Sequence, residues 1–192
     1  MATIQLTNAP YIQKNFVVSG AFGESRSGGR VHKGLDLAPI GYTGSLYAID
    51  DFTIQYIGFD ASGYGNYFIA NNGNGMMYLY AHLATLPPAV GTHIPIHGYV
   101  GETGNTGPEG TGYHVHIEMQ QGTTWQYNQP LSSYVNPCTY LVGINNVVDY
   151  NQYYYYDGTP TPPTPTGDTK KSFPWFIYYS NGMFWQNIKI IR

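Results

Sequence analysis

Glycine cuts this chain into runs too short for helices. Twenty-four glycines fall among 192 residues, and the segments between them are rich in Val, Ile, Thr, Tyr and Phe. Such segments suit a pleated sheet, while Gly, Asn and Pro supply the turns that join strands. No segment carries a long apolar stripe of helical period. The expected fold is therefore mainly β, with long loops. The clearest local signal is Asn71-Asn72-Gly73-Asn74-Gly75, which separates two apolar runs at 67–70 and 77–80 and predicts a hairpin. Residues 1 to about 20 read as a lead-in strand, with 15–18 its best paired part. Strands are also expected over 44–50 and 53–58, a short edge segment over 92–97, and closure of the core near 136–141.

A further expected strand carries residues suited to chemistry. In Thr111-Gly112-Tyr113-His114-Val115-His116-Ile117-Glu118-Met119 the apolar residues alternate with polar ones. On a strand, His114 and His116 then share one face while Val115 and Ile117 point into a core. Two imidazoles fixed on a rigid strand can serve a metal site, and they equally suit an exposed polar sheet face. Two other places offer partners. His32-Lys33-Gly34-Leu35-Asp36 sets His and Asp four apart around a glycine, where a turn can converge them. His82 follows the second strand of the hairpin in Tyr80-Ala81-His82-Leu83. From this set, two imidazoles and a carboxylate would suit zinc with one position left open, and two histidines would remain for proton transfer. Ordinary loop histidines and a turn-capping aspartate are the alternative.

Charge narrows the field of partners. Only 10% of residues are charged and the formal net charge is −3, with no cluster of Lys or Arg among aromatics, so a nucleic-acid role is not expected. The single cysteine, Cys138, excludes an internal disulfide and is expected to be a buried apolar residue.

The order and spacing of these motifs resemble the LytM/lysostaphin-type zinc endopeptidases of family M23. The resemblance rests on His32-Lys33-Gly34-Leu35-Asp36-Leu37-Ala38, Tyr64-Gly65-Asn66, Tyr80-Ala81-His82-Leu83, Gly101-Glu102-Thr103-Gly104-Asn105-Thr106-Gly107, and the 111–118 segment, and it spans roughly residues 16 to 141. It implies a small antiparallel-sheet domain with the active site in a groove across the sheet. By the same resemblance, His32, Asp36 and His116 would hold Zn²⁺, His114 would act as general base, and His82 would stand beside it to orient or stabilise the reacting group. The implied substrate is the peptide part of bacterial peptidoglycan. Glu118 shares the face of His116, as a partner to that ring or as a plain cross-strand neighbour. Arg26 stands where many relatives carry an arginine; a structural salt bridge is its expected role, with a substrate or oxyanion role as the alternative. Two departures stand out: Asp50-Asp51-Phe52 replaces the usual Asp-Gly, and Tyr113 occupies a position usually small or proline. His93 and His97 match no family motif and are expected at the surface or in packing. A non-catalytic wall-binding or virion structural module that kept the fold is the alternative function.

The expected domain plan is a peptidase domain at 1–142, a Tyr- and Thr/Pro-rich linker at 143–168, and a C-terminal aromatic hairpin at 169–192. An isolated hairpin is at best marginally stable, so this one is expected to dock on the sheet edge of the main domain, on another copy of the chain, or in a larger assembly such as phage tail proteins. The first residues lack a basic region followed by a long apolar one, so no Sec-type signal peptide is expected, nor any transmembrane segment. A wall enzyme without a signal fits a phage-encoded protein, carried at the virion tail tip or released from the host cytoplasm at lysis, and acting at the bacterial cell wall.

Overall fold

The structure is a computed structural model that describes residues 2–109, 112–144, 150 and 152–158. Among these residues the chain forms thirteen strands. They are β1 (Thr3–Gln5), β2 (Phe16–Gly20), β3 (Gly34–Pro39), β4 (Ser45–Tyr47), β5 (Phe52–Asp60), β6 (Gly65–Asn71) and β7 (Met76–Ala81). There follow β8 (Leu83–Thr85), β9 (His93–Ile94), β10 (Tyr99–Thr103), β11 (Val115–Gln121), β12 (Tyr134–Val135) and β13 (Tyr153–Tyr155). Ten of them make one sheet in the order β1-β13-β2-β3-β11-β7-β6-β5-β9, with β12 pairing β11, and a second sheet runs β4-β10-β8. All pairings are antiparallel except β1 with β13. No helix among the described residues is long and apolar enough to cross a membrane.

Strand alternation divides the large sheet into two faces. Leu35 and Leu37 of β3, Val115, Ile117 and Met119 of β11, Tyr78 and Tyr80 of β7, and Phe68 of β6 all enter one core. Leu46, Leu83 and Val100, one from each strand of the small sheet, join the same core, so the two sheets close on each other. Residues of opposite parity, Tyr67, Ile69, Met77, Leu79 and Ala81, form a smaller cluster on the other face with Trp125 from the loop after β11 and Tyr134 of β12. That second face carries Asp36, His116 and Glu118 at its centre.

The expected hairpin is present, with Phe68 opposite Tyr80 and Asn71 opposite Met77. The lead-in region holds two strands, β1 and β2, rather than one. A larger departure lies at the C-terminal side. The expected linker at 143–168 includes β13, which pairs with β1 and β2. Tyr154 and Tyr156 of that stretch are buried in the main core. The reason is physical: alternate tyrosine rings there cover the end of the sheet at Phe16, whose ring centroid lies 5.9 Å from that of Tyr154. The Thr/Pro run and the hairpin expected over 169–192 lie outside the described residues, as do Gly110 and Thr111.

Candidate active site

The register of β3 against β11 builds the centre of the site. Asp36 pairs directly with His116, and both belong to the parity that faces away from the main core. His32 approaches from the turn before β3, held by backbone hydrogen bonds from its N–H to the Glu24 carbonyl and from the Gly23 N–H to its own carbonyl. The result brings His32 Nε2, Asp36 Oδ1 and His116 Nδ1 together, at 3.1 Å, 3.0 Å and 2.7 Å from one another. Gly34 makes room for this group. A Cβ at that position would lie 2.6 Å from the His116 ring and 2.5 Å from the Ile117 carbonyl oxygen.

Each donor has a partner that fixes its orientation. The carbonyl of Ala21 can only accept, so His32 donates through Nδ1 across 2.7 Å and leaves Nε2 for the cluster. His116 meets Glu118 Oε1 through Nε2 at 3.0 Å, which frees Nδ1. The Tyr64 hydroxyl donates to both oxygens of Glu118, at 3.1 and 3.2 Å. Arg26 donates to Asp36 Oδ2 at 2.9 Å and is itself steadied by Glu24, so Oδ1 is the oxygen that points at the imidazoles. Burial opposes charge on Asp36, but hydrogen bonds from His116 and His32 outweigh it and hold the carboxyl well below the usual carboxylate range. Burial likewise opposes charge on His116, and its bonds to Asp36 and Glu118 prevail, raising it to about 10.

His114 and His82 are placed differently. His114 lies just before β11, where a lone bridge to Gly104 holds its backbone. Its Nδ1 donates to the Gly112 carbonyl at 2.8 Å, and its Nε2 lies 3.8 Å from Asp36 Oδ1. His82 occupies the corner where the chain leaves β7 for the small sheet, with a left-handed φ of 63°. Its Nδ1 donates to the Thr106 carbonyl at 2.9 Å, leaving Nε2 without that proton, and its ring centroid is 4.7 Å from that of His114. The Gly-rich loop is what brings Thr106 there: Gly65, at φ 62°, would put a Cβ 2.3 Å from the Thr106 carbonyl, so only glycine allows the approach. Burial is the main force lowering both rings, His82 to about 4, and the nearby imidazoles add to it. Both rings are therefore neutral at physiological pH, each with an accepting Nε2.

The five residues lie in a cleft of about 640 Å³ whose walls include Arg26, Arg30, Tyr64 and Glu109. His32, Asp36 and His116 are a group able to hold a metal ion. Two imidazole nitrogens and a carboxylate oxygen match the donor set zinc prefers, and donors around tetrahedral zinc stand about 3.3 Å apart, close to the separations here. The ring partners fit as well, since a metal-ligating imidazole normally donates its other nitrogen to a carboxylate or carbonyl.

All five sequence-derived positions thus converge. Arg26 makes the expected salt bridge. Glu118 partners the His116 ring itself. His93 is exposed, and His97 packs against Tyr156 and bonds Asn8, away from the cleft. Cys138 is buried in the core. Sequence reasoning gave no role to Tyr64 or to the carbonyls of Ala21, Gly112 and Thr106; any residue type supplies a carbonyl, so no sequence signal marks one.

The family model for peptidase family M23 matches residues 30–131, which contain every residue of the cluster. The chain belongs to peptidase family M23. Among solved structures, it is similar to a mutant catalytic domain of the prophage-encoded M23 protein EnpA from Enterococcus faecalis, at 27% identity over 69% of this chain and 96% of that one, with a TM-score of 0.55. The catalytic domain of lysostaphin from Staphylococcus simulans matches at 22% identity over 67% of this chain and 91% of its own, with a TM-score of 0.53. LytU matches at 20% identity over 65% and 86%, with a TM-score of 0.54. The last two likenesses concern the fold alone. No curated protein matches the sequence. The M23 fold, mainly β with its mixed but largely antiparallel sheet, is thus the one the motifs imply.

Proposed function

We propose that this M23 chain is a zinc-dependent endopeptidase that hydrolyses peptide bonds of bacterial peptidoglycan. The observation that carries the proposal is the convergence of three metal-competent donors with two neutral, accepting imidazoles in one cleft. His32, Asp36 and His116 would hold the ion. Bound zinc supplies an acidified water and a Lewis acid for the scissile carbonyl.

The protein's own residues do the rest. His114 Nε2, unprotonated and facing the cluster, takes a proton from the attacking nucleophile and returns it to the departing amine. The Gly112 carbonyl holds that ring in the required tautomer. His82, set beside His114 with the same tautomer, steadies the proton-carrying ring and orients the reacting group. Arg26 fixes Asp36 and adds positive charge beside the site, where an oxyanion would develop. Tyr64 and Glu118 keep the His116 ring from rotating.

A phage origin also forms part of this reading, with action at the cell wall from a virion tail or at lysis. The prophage-encoded relative from Enterococcus faecalis supports it. The enzyme reading is tested on purified peptidoglycan by counting released amino groups, with and without a zinc chelator. New amino termini that disappear on chelation and return with zinc are expected. A folded, zinc-loaded protein inert on walls of several types would contradict it.

A further inference from the structure

A row of tyrosine rings leaves the cleft along the second face of the sheet. The Tyr64 ring centroid lies 6.0 Å from that of His116, Tyr67 lies 5.5 Å from Tyr64, and Tyr56 lies 5.7 Å from Tyr67. Tyr127 closes the row from the loop after β11, its hydroxyl 3.0 Å from that of Tyr67, and its neighbour Asn128 lines the cleft. Tyr67 is buried, while Tyr56 and Tyr127 are 48% and 46% exposed.

Tyr56 is placed by two local features. A register shift in β5 between Ile54 and Tyr56 breaks the alternation there. Gly58, opposite Tyr67 in the β5–β6 pairing, then offers bare backbone on which the Tyr56 ring rests, for a Cβ on Gly58 would lie 2.5 to 2.9 Å from that ring. The ring is thus held in place before any ligand arrives. The edge beyond it is open among the described residues, because β9 pairs only with Phe52 and Thr53 of β5.

We propose that Tyr56 and Tyr127, both packed on the buried Tyr67, form a sugar-binding platform that holds the glycan strand of peptidoglycan while the peptide lies in the cleft. The proposal rests on the peptidoglycan reading above. Tyrosine faces offer an apolar surface to sugar C–H groups, and the hydroxyl rim offers hydrogen bonds to sugar hydroxyl and acetamido groups. Continuity selects the occupant. The row starts at the metal-competent group, where the scissile peptide must sit, and runs outward to where the rest of the same polymer must go.

The test compares wild type, Tyr56→Ala, Tyr56→Phe and Tyr127→Ala by calorimetric titration with peptide-free glycan strands. Hydrolysis of intact peptidoglycan and of sugar-free wall peptides is measured alongside, and thermal midpoints confirm folding. Tyr56→Ala and Tyr127→Ala should each weaken glycan binding and raise KM on intact peptidoglycan about five- to tenfold, the scale of one aromatic contact. The kcat on intact peptidoglycan and all constants on sugar-free peptides should hold, and Tyr56→Phe should keep most of the binding. No glycan binding by the wild type, or an equal rise of KM on both substrates, overturns the platform. Wall cleavage unaffected by either alanine variant overturns the platform and leaves the peptidase reading intact; glycan binding without hydrolysis does the reverse.

Discussion

Four imidazoles share this cleft, and they fall into two pairs of opposite character. His32 and His116 face a carboxylate, and His116 is bracketed by two, Asp36 and Glu118. His82 and His114 anchor on backbone carbonyls, those of Thr106 and Gly112, and face each other. The two carboxylates around His116 favour its charged form and raise it to about 10; around His82 and His114 burial dominates and lowers both, His82 to about 4. The same side chain thus becomes a cation seat in one place and a standing base a few ångströms away. What differs is whether the ring nitrogen facing the cleft meets the Asp36 carboxylate within hydrogen-bond distance, and for His116 the register of β3 against β11 decides that contact.

The comparison breaks most completely at the cation seat. Asp36→Asn removes the one charge that two imidazoles and Arg26 share, and hydrolysis should fall to background with loss of bound zinc, measured by metal content after gel filtration. Normal zinc content in that variant would separate Asp36 from the seat. At the base, His114→Ala should lower kcat by about 10²- to 10⁴-fold, the usual worth of a positioned general base. Steady-state hydrolysis of wall peptides reads that drop, and a variant within tenfold of wild type would remove His114 from the role.

A gentler change separates ligand from support. Glu118→Ala leaves His116 in place but frees its Nε2, and zinc affinity should weaken about 10- to 100-fold. Competition with a chromophoric chelator measures it; unchanged affinity would reduce Glu118 to a cross-strand neighbour.

His116 and His82 also predict opposite limbs in the pH dependence of metal-free stability. His116 takes up a proton more readily when folded, so its contribution is full below the unfolded value near 6.5 and fades as pH rises toward about 10. His82 resists protonation when folded, so stability falls as pH drops from 6.5 toward about 4. Thermal midpoints of the chelator-treated protein should therefore peak between these limits, and zinc should flatten the alkaline limb because the ion replaces the proton. A midpoint that climbs steadily through the alkaline range would contradict the cation seat.

The smallest effect is expected at the rim. Arg30 and Glu109 form a salt bridge from two different loops that line the cleft. Both are well exposed, so Glu109→Gln should change stability by no more than about 1 kcal/mol. A larger loss in chemical unfolding would mean that the rim pair helps hold the two pairs of imidazoles.

Much of this division was legible in the chain. Period-two alternation around His116 put Val115 and Ile117 in the core and left His116 on the other face, because strand parity is a local property. The Asn-Gly signal between 67–70 and 77–80 marked the hairpin for the same reason. The convergence of His32 with Asp36 was open to sequence because Gly34 stands between them. What stayed hidden depended on contacts between distant segments. The Tyr153–Tyr155 run has neither alternation nor apolar spacing, and it becomes a strand only because β1 and β2 offer it an edge and Phe16 a ring to cover. The tautomer of His82 depends on a carbonyl at Thr106 that no side chain announces. The left-handed corner at His82 has no glycine to mark it.

The most direct test of the two-pair account is calorimetric titration of zinc into His116→Ala and His114→Ala, each folded and metal-free, beside wild type. The account predicts that His114→Ala binds zinc as wild type does yet hydrolyses wall peptides with the lowered kcat given above, while His116→Ala fails to bind. If His114→Ala loses zinc as fully as His116→Ala, the imidazoles form one undivided cluster and the separation of seat from base is wrong.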